Sequence, residues 1–480
     1  MKGLALLASA AFSAVQVFAG GGRRGLPEIF RPGDFILFQG DSITDGGRAG
    51  DMNHYMGHGY QTEIAMRYLS AFPTNALTFA NRAVSGHTTA DLRSRWQTDA
   101  LEVTNCENGY AASFGADTVG PRTPDVMSLL IGVNDRFYRN RPVADYETDL
   151  RYLVESALEK NPEMRIILCE PFRCPQSDDV EFMKVQGFMA RLAYEKGLPL
   201  VKFQRLVNEK MLALNPDPAY WSWDTVHPTI QAHMLMAGEW IKTFARHLRH
   251  PETNPALVPQ PKLEEDCYDW YERHARILRE QKAMDPQIVF LGDSIIHFWA
   301  GRDSIGADDA EPRWKEAFGK YRTLDLGFGW DRTQNLLWRL DHGEMDGLDP
   351  KLLVMMIGTN NNSETPNARR CESGEIFAGV VECAKRAMEK APGAHLALFA
   401  IFPRGETPNP DRENNDRANA MLEEWASQRE NVTFVDIGGR FLDGEGKIPR
   451  ELMDDFLHPT DEGYGIWAEA LGPVIEKHVR

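Results

Sequence analysis

Cysteine is scarce in this chain. Six occur in 480 residues, at Cys106, Cys169, Cys174, Cys267, Cys371 and Cys383, and none forms the Cys-x-x-Cys pair that a thiolate zinc site or a dithiol redox centre would use. Cys169 and Cys174 flank the end of a predicted strand and could bridge, or else they are ordinary buried thiols. Blocks of basic residues are missing as well. With 53 Lys and Arg against 70 Asp and Glu the formal charge is −17, so a nucleic-acid groove or an anionic membrane surface has no electrostatic footprint. Past the first twenty residues no apolar run approaches the length of a bilayer span. His54 and His58 have ligand-like spacing, but no carboxylate or third histidine stands at a fitting distance. The stretch reads as a glycine-bearing loop, and no metal is expected there.

At the N-terminus, Lys2 precedes an apolar run from Gly3 to Phe18, and Val17-Phe18-Ala19 places small residues where signal peptidase prefers them. Residues 1–19 are therefore expected to be an export signal, and the protein secreted or periplasmic. The run is too short, and too soon broken by Gly20-Gly21-Gly22, for a stable membrane span.

Composition is globular, with 42% apolar and 26% charged residues, and the length suits two domains. Short continuous apolar runs at Phe35–Phe38, Leu77–Ala80, Val126–Ile131, Ile166–Cys169 and Leu200–Phe203 predict strands buried on both faces. Ile288–Leu291, Thr323–Leu326, Leu352–Ile357, Leu396–Phe399 and Val432–Val435 repeat the pattern. Such runs separated by helical-period segments indicate a parallel sheet covered on both sides. The predicted fold is α/β, with two tandem domains of five parallel strands at 27–250 and 262–480. The proline-rich residues 251–261 are the expected linker, and Leu263–Lys282 the expected first helix of the second domain.

Gly-Asp-Ser-Ile occurs twice, at Gly40–Ile43 and Gly292–Ile295, each time directly after the first strand of a half. Both halves continue, in the same order, with a glycine-containing segment, a Gly-x-Asn segment and Asp-x-x-His-Pro-Thr. A serine hydroxyl attacks only when a base takes its proton, and the base needs a carboxylate to fix its tautomer. Ser42 with His227 and Asp224, and Ser294 with His458 and Asp455, supply the three groups. Asp454 competes in the second half, but its spacing does not match the first. An oxyanion needs preorganised donors, for which Gly86 and Asn134 are the first-half candidates and Asn360 a second-half one. Alone, each of these residues is an ordinary cap or turn; the ordered set, present twice, is not.

These motifs resemble the SGNH superfamily, the GDSL-type esterases and lipases, in both halves. The second half, through Leu326-Gly327-Phe328-Gly329-Trp330-Asp331 and Leu337-Trp338-Arg339-Leu340, is similar to the platelet-activating-factor acetylhydrolase catalytic subunits and to bacterial acetylesterase-like relatives. The resemblance implies a flavodoxin-like three-layer α/β/α fold, a Ser-His-Asp triad and ester hydrolysis without a cofactor. It carries Ser42, Gly86, Asn134, Asp224 and His227 onto the first site, and Ser294, Asn360, Asp455 and His458 onto the second. Where those subunits have a second glycine this chain has Trp330, whose amide must serve as the oxyanion donor. The expected substrate is an acylated carbohydrate or another neutral ester, with acetyl the favoured acyl group. Trp221 and Trp223, just before Asp224, suggest sugar stacking, and Trp299, Trp330 and Trp338 also fall near the motifs. A lysophospholipase or thioesterase is the alternative, as is one catalytic domain paired with a weakly active glycan-binding one. No residue pattern speaks to oligomeric state.

Overall fold

The computed structural model describes residues 25–50, 56–103, 121–306 and 308–479. The expected export signal, His54 and Cys106 lie outside these residues. The chain divides into two compact units at Pro251 and Glu252, with the short segment Asp178–Val180 grouped with the second.

In the first unit the strands are β1 (Phe35–Gly40), β2 (Thr78–Asn81), β3 (Val126–Leu130), β4 (Arg165–Cys169) and β5 (Leu200–Val201). They pair in parallel in the order β2-β1-β3-β4-β5. In the second unit β6 (Ile288–Gly292), β7 (Thr323–Gly327), β8 (Leu352–Met356), β9 (His395–Phe399) and β10 (Val432–Val435) repeat that order as β7-β6-β8-β9-β10. Residues of β1, β3, β6, β7, β8 and β9 are all buried, as helices on both faces require. Strand ends move by a residue or two from the sequence reading, and β5 keeps only two residues because the chain turns into a helix at Phe203.

The principal helices of the first unit are α1 (Ser42–Asp45), α2 (Tyr60–Ala71), α3 (Val143–Lys160), α4 (Val180–Glu195) and α5 (Ile230–Arg249). Those of the second are α6 (Trp270–Met284), α7 (Ser294–Ala300), α8 (Thr333–Asp341), α9 (Ser373–Lys390), α10 (Pro410–Ser427) and α11 (Asp461–His478). Aromatic rings join sheet to helix. Phe38 lies 6.0 Å from Tyr60 and 5.9 Å from Trp240, and Phe290 lies 4.5 Å from Trp314, contacts worth about 0.5–1.5 kcal/mol each beyond burial. Among the described residues no helix is long and apolar enough to cross a membrane.

Two readings change. The predicted helix from Leu263 begins at Trp270, because the Asp269 carboxylate accepts from the Tyr271 and Glu272 amides and caps it there. The proline-rich 251–261 is a connector only at its start, since Pro255–Leu257 is a short 3₁₀ turn built into the second unit. Ala256 O accepts from Thr333 Oγ1 at 2.9 Å, Pro261 O from Asn335 Nδ2 at 2.6 Å, and the Gln260 amide donates to Gln334 O. Cys169 and Cys174 are free and buried, so they do not bridge.

Candidate active sites

A doubly wound sheet opens a crevice at the strand C-termini where its order reverses. In the first unit that point lies between β1 and β3, and Ser42 follows β1 while Asn134 follows β3. Gly40 makes the turn possible, since a Cβ there would stand 2.2 Å from Leu130 O on the neighbouring strand. Gly292 is under the same constraint, 2.3 Å from Met356 O. Asp41 and Asp293 are buried N-caps, each accepting from the amide two residues on at 3.0 Å. Burial pushes both carboxyls up to about 7.

The structure brings both predicted triads together. His227 Nε2 lies 2.7 Å from Ser42 Oγ, and its Nδ1 lies 2.7 Å from Asp224 Oδ2. In the second unit His458 Nε2 lies 2.8 Å from Ser294 Oγ and Nδ1 lies 2.6 Å from Asp455 Oδ2. The second carboxylate oxygen of each aspartate accepts the histidine's own backbone N–H at 2.8 Å, closing the Asp-x-x-His turn. Burial alone would raise Asp224, but the His227 and Val226 amides and the imidazole outweigh it and hold the carboxyl at about 2. Asp455 is lowered in the same way. Asp454 takes no part; its carbonyl accepts from Arg450.

Each turn contains a non-glycine residue at positive φ, Thr225 at 73° and Phe456 at 62°, a conformation that costs about 1–3 kcal/mol and persists only where neighbours fix it. Thr225 O accepts from the Cys174 amide and Arg173 Nε, and Arg173 Nη2 also bonds its hydroxyl. Phe456 O accepts from the Gly405 amide at 2.8 Å.

The predicted oxyanion groups occupy matching places. Asn134 Nδ2 donates to His87 O and Asn360 Nδ2 to Asp331 O, both at 3.0 Å, so each asparagine ties the loop after β3 or β8 to the residue following Gly86 or Trp330. Gly86 has φ 78° and Trp330 φ 62°. The tryptophan thus adopts the glycine's left-handed backbone, and the residue is 41% exposed. Asp135, by contrast, is structural, accepting from Thr89 and Arg141.

Of the other tryptophans, Trp221, Trp299 and Trp338 are core residues, whereas Trp223 is 76% exposed beside Asp224. Sequence reading named His233 only as a helix-face residue and did not foresee its contact: Nδ1 accepts the Tyr60 amide at 3.2 Å, and burial lowers its pKa to about 4. It also did not single out Asp45 and His297, three residues after Ser42 and Ser294. Asp45 Oδ2 accepts from Ser85 Oγ at 2.5 Å, and His297 Nδ1 accepts from the Gly329 amide at 3.2 Å; the helical i+3 spacing was the available signal. A 710 Å³ cavity in the second unit adjoins His458, lined by Phe298, Arg302, Glu311, Arg313 and Asp455 among others.

The chain belongs to the GDSL-like lipase/acylhydrolase family, whose model matches residues 38–235 and 290–466. It is 31% identical over 225 residues to platelet-activating factor acetylhydrolase IB subunit alpha2 of Rattus norvegicus, a match covering 47% of this chain and 91% of that protein. Among solved structures, an acetylxylan esterase from Geobacillus stearothermophilus is 27% identical, with a TM-score of 0.36 over 45% of this chain and 95% of that one. An α/β hydrolase from the metagenome of Lake Arreo, Spain, is 25% identical, with a TM-score of 0.37 over 45% and 98%.

Proposed function

We propose that this protein is an exported serine esterase with two sites, each removing a short acyl group, acetyl foremost, from carbohydrate. The duplicated serine–histidine–aspartate relay carries the reading, with hydrogen-bond distances that differ by no more than 0.1 Å between units. In each site the serine Oγ attacks the ester carbonyl as histidine Nε2 takes its proton. The aspartate holds the Nδ1–H and stabilises the imidazolium. The carbonyl oxygen, now negative, receives hydrogen bonds from the Gly86 or Trp330 amide and from Asn134 or Asn360. Histidine then protonates the departing alcohol, and a water deprotonated by the same nitrogen releases the acid from the acyl-serine.

Acetyl as the acyl group is supported by the acetylhydrolase relatives. Carbohydrate as the carrier is supported by the exposed indoles of Trp223 and Trp330 beside the two sites and by a charge of −17 that suits a neutral polymer. A lipid ester is the second reading for the first site, where Tyr220, Trp223, Ile230 and Met234 leave an apolar surface around the triad turn.

The test compares wild type, Ser42→Ala, Ser294→Ala and the double variant on aryl esters of increasing acyl length and on acetylated polysaccharides. Each single variant is expected to retain one site's activity, and the double variant none. Full activity in the double variant would remove both nucleophiles, and rates climbing with chain length would favour the lipid. If Ser294→Ala changed nothing while deletion of the second unit weakened glycan binding, that unit would be a binding module.

A further inference from the structure

Trp330 lies where the first unit has a glycine, yet it holds the glycine's backbone angle. Its side chain is too exposed to hold it there by packing, so the fixing contacts must act on the adjoining peptides. A trans peptide directs its C=O and N–H to opposite sides. Whatever grips the Gly329 carbonyl therefore aims the Trp330 amide. Tyr268 does this, its hydroxyl donating to Gly329 O at 3.2 Å. The other face of Gly329 is held as well, its N–H donating to His297 Nδ1 at 3.2 Å while His297 Nε2 donates to Arg302 O at 2.8 Å. The two gripping rings pack edge to face, 4.7 Å apart at 76°. The absence of a side chain at residue 329 lets the ring sit close, since a Cβ there would stand 3.0 Å from Tyr268 Cε1 and would also push the Asp266 carboxylate aside.

We propose that Tyr268 and His297 are positioning residues that clamp Gly329 and so aim the Trp330 N–H into the second oxyanion hole, replacing the conformational freedom that glycine gives the first. The inference rests on the esterase reading of Ser294. Burial keeps the Tyr268 phenol well above its ordinary range and His297 well below its own, so one remains a donor and the other a neutral acceptor. The first unit shows the simpler arrangement. Gly86 takes its angle without a Cβ penalty, and the side chain of the preceding Ser85 is tied to Asp45.

The test starts from Ser42→Ala, which leaves Ser294 as the sole proposed nucleophile, and adds Tyr268→Phe or His297→Asn. With 4-nitrophenyl acetate, kcat is expected to fall about 10- to 100-fold, part of the loss seen when an oxyanion donor is removed outright, while KM changes less than about twofold. Adding Trp330→Gly to Tyr268→Phe is expected to restore most of the lost kcat, because glycine reaches the required angle unaided. An unchanged kcat, or no restoration, overturns the clamp. A crystal structure of the Tyr268→Phe variant gives a second, activity-independent decision: a rotated or doubly oriented Gly329–Trp330 peptide supports the proposal, and an unmoved one overturns it. If Ser42→Ala alone is inactive, the two-site reading has failed, while the peptide orientation still decides the clamp.

Discussion

At the scale of single residues, the two sites differ most in how they reach one backbone angle. Gly86 and Trp330 occupy equivalent positions, and only the glycine does so without cost. Gly86→Ala has room, since the nearest atom to a new Cβ is Tyr138 Cε1 at 4.0 Å, so its penalty is conformational. We expect a loss of about 1 kcal/mol, measured by urea unfolding, together with a lower kcat at Ser42, measured on 4-nitrophenyl acetate in the Ser294→Ala background. The buried caps predict a pH effect. Burial pushes the Asp293 carboxyl up to about 7, well above the ordinary carboxylate range. Stability from this group is therefore full below the unfolded pKa and is lost as pH rises through 7. Asp293→Asn, which cannot ionise, is expected to flatten the fall in the urea midpoint of the second unit between pH 5 and pH 8. The hydrogen-bonded serine, histidine and aspartate of each set were legible in the sequence because each lies in a short motif whose spacing is its geometry. The contacts of Tyr268 and His233 were not, because their partners, Gly329 and Tyr60, are distant in sequence and meet them only after folding.

At the scale of elements, the loop after β7 is held from behind by a buried ionic group. Arg339 on α8 donates through Nε to Asp331 Oδ2 at 2.9 Å, through Nη2 to Leu326 O at 3.2 Å, and through Nη1 to Glu344. Trp270 and His274 on α6 complete it, bonding Asp331 and Glu344 at 2.8 Å each. Removing one member of such a group strands the remaining charges, which typically costs about 3–5 kcal/mol. Arg339→Met is expected to lower the unfolding free energy of the second unit by an amount in that range, read from urea unfolding, and Ser294 activity with it. Strand cores were legible because burial on both faces leaves an unbroken apolar run, as at Leu352–Met356. The start of α6 was not, because Asp269 is one of several acidic residues there and only structure shows which one caps.

At the scale of the molecule, each unit has its own five-stranded sheet and one serine–histidine–aspartate relay. The place of residues 254–261 within the second unit has a direct test. Residues 252–480 are expected to fold as an independent segment, whereas starting at 262 removes the partners of Thr333, Gln334 and Asn335. At about 1 kcal/mol per hydrogen bond the shorter segment should lose about 3 kcal/mol in urea unfolding. The two-domain organisation was plain from the repeat, but its seam was not, since proline and polar residues read as a linker whether or not a neighbouring helix receives them. The duplication also bears on how such chains change over generations. Gly40 and Gly292 are required by a carbonyl on the adjacent strand, and Asp41 and Asp293 by the first turn of a helix, so the sheet would retain both letters of the motif even if the following serine were lost. A descendant with one disabled half would still display Gly-Asp there, and a census of such genes by that dipeptide would count scaffolds rather than working enzymes.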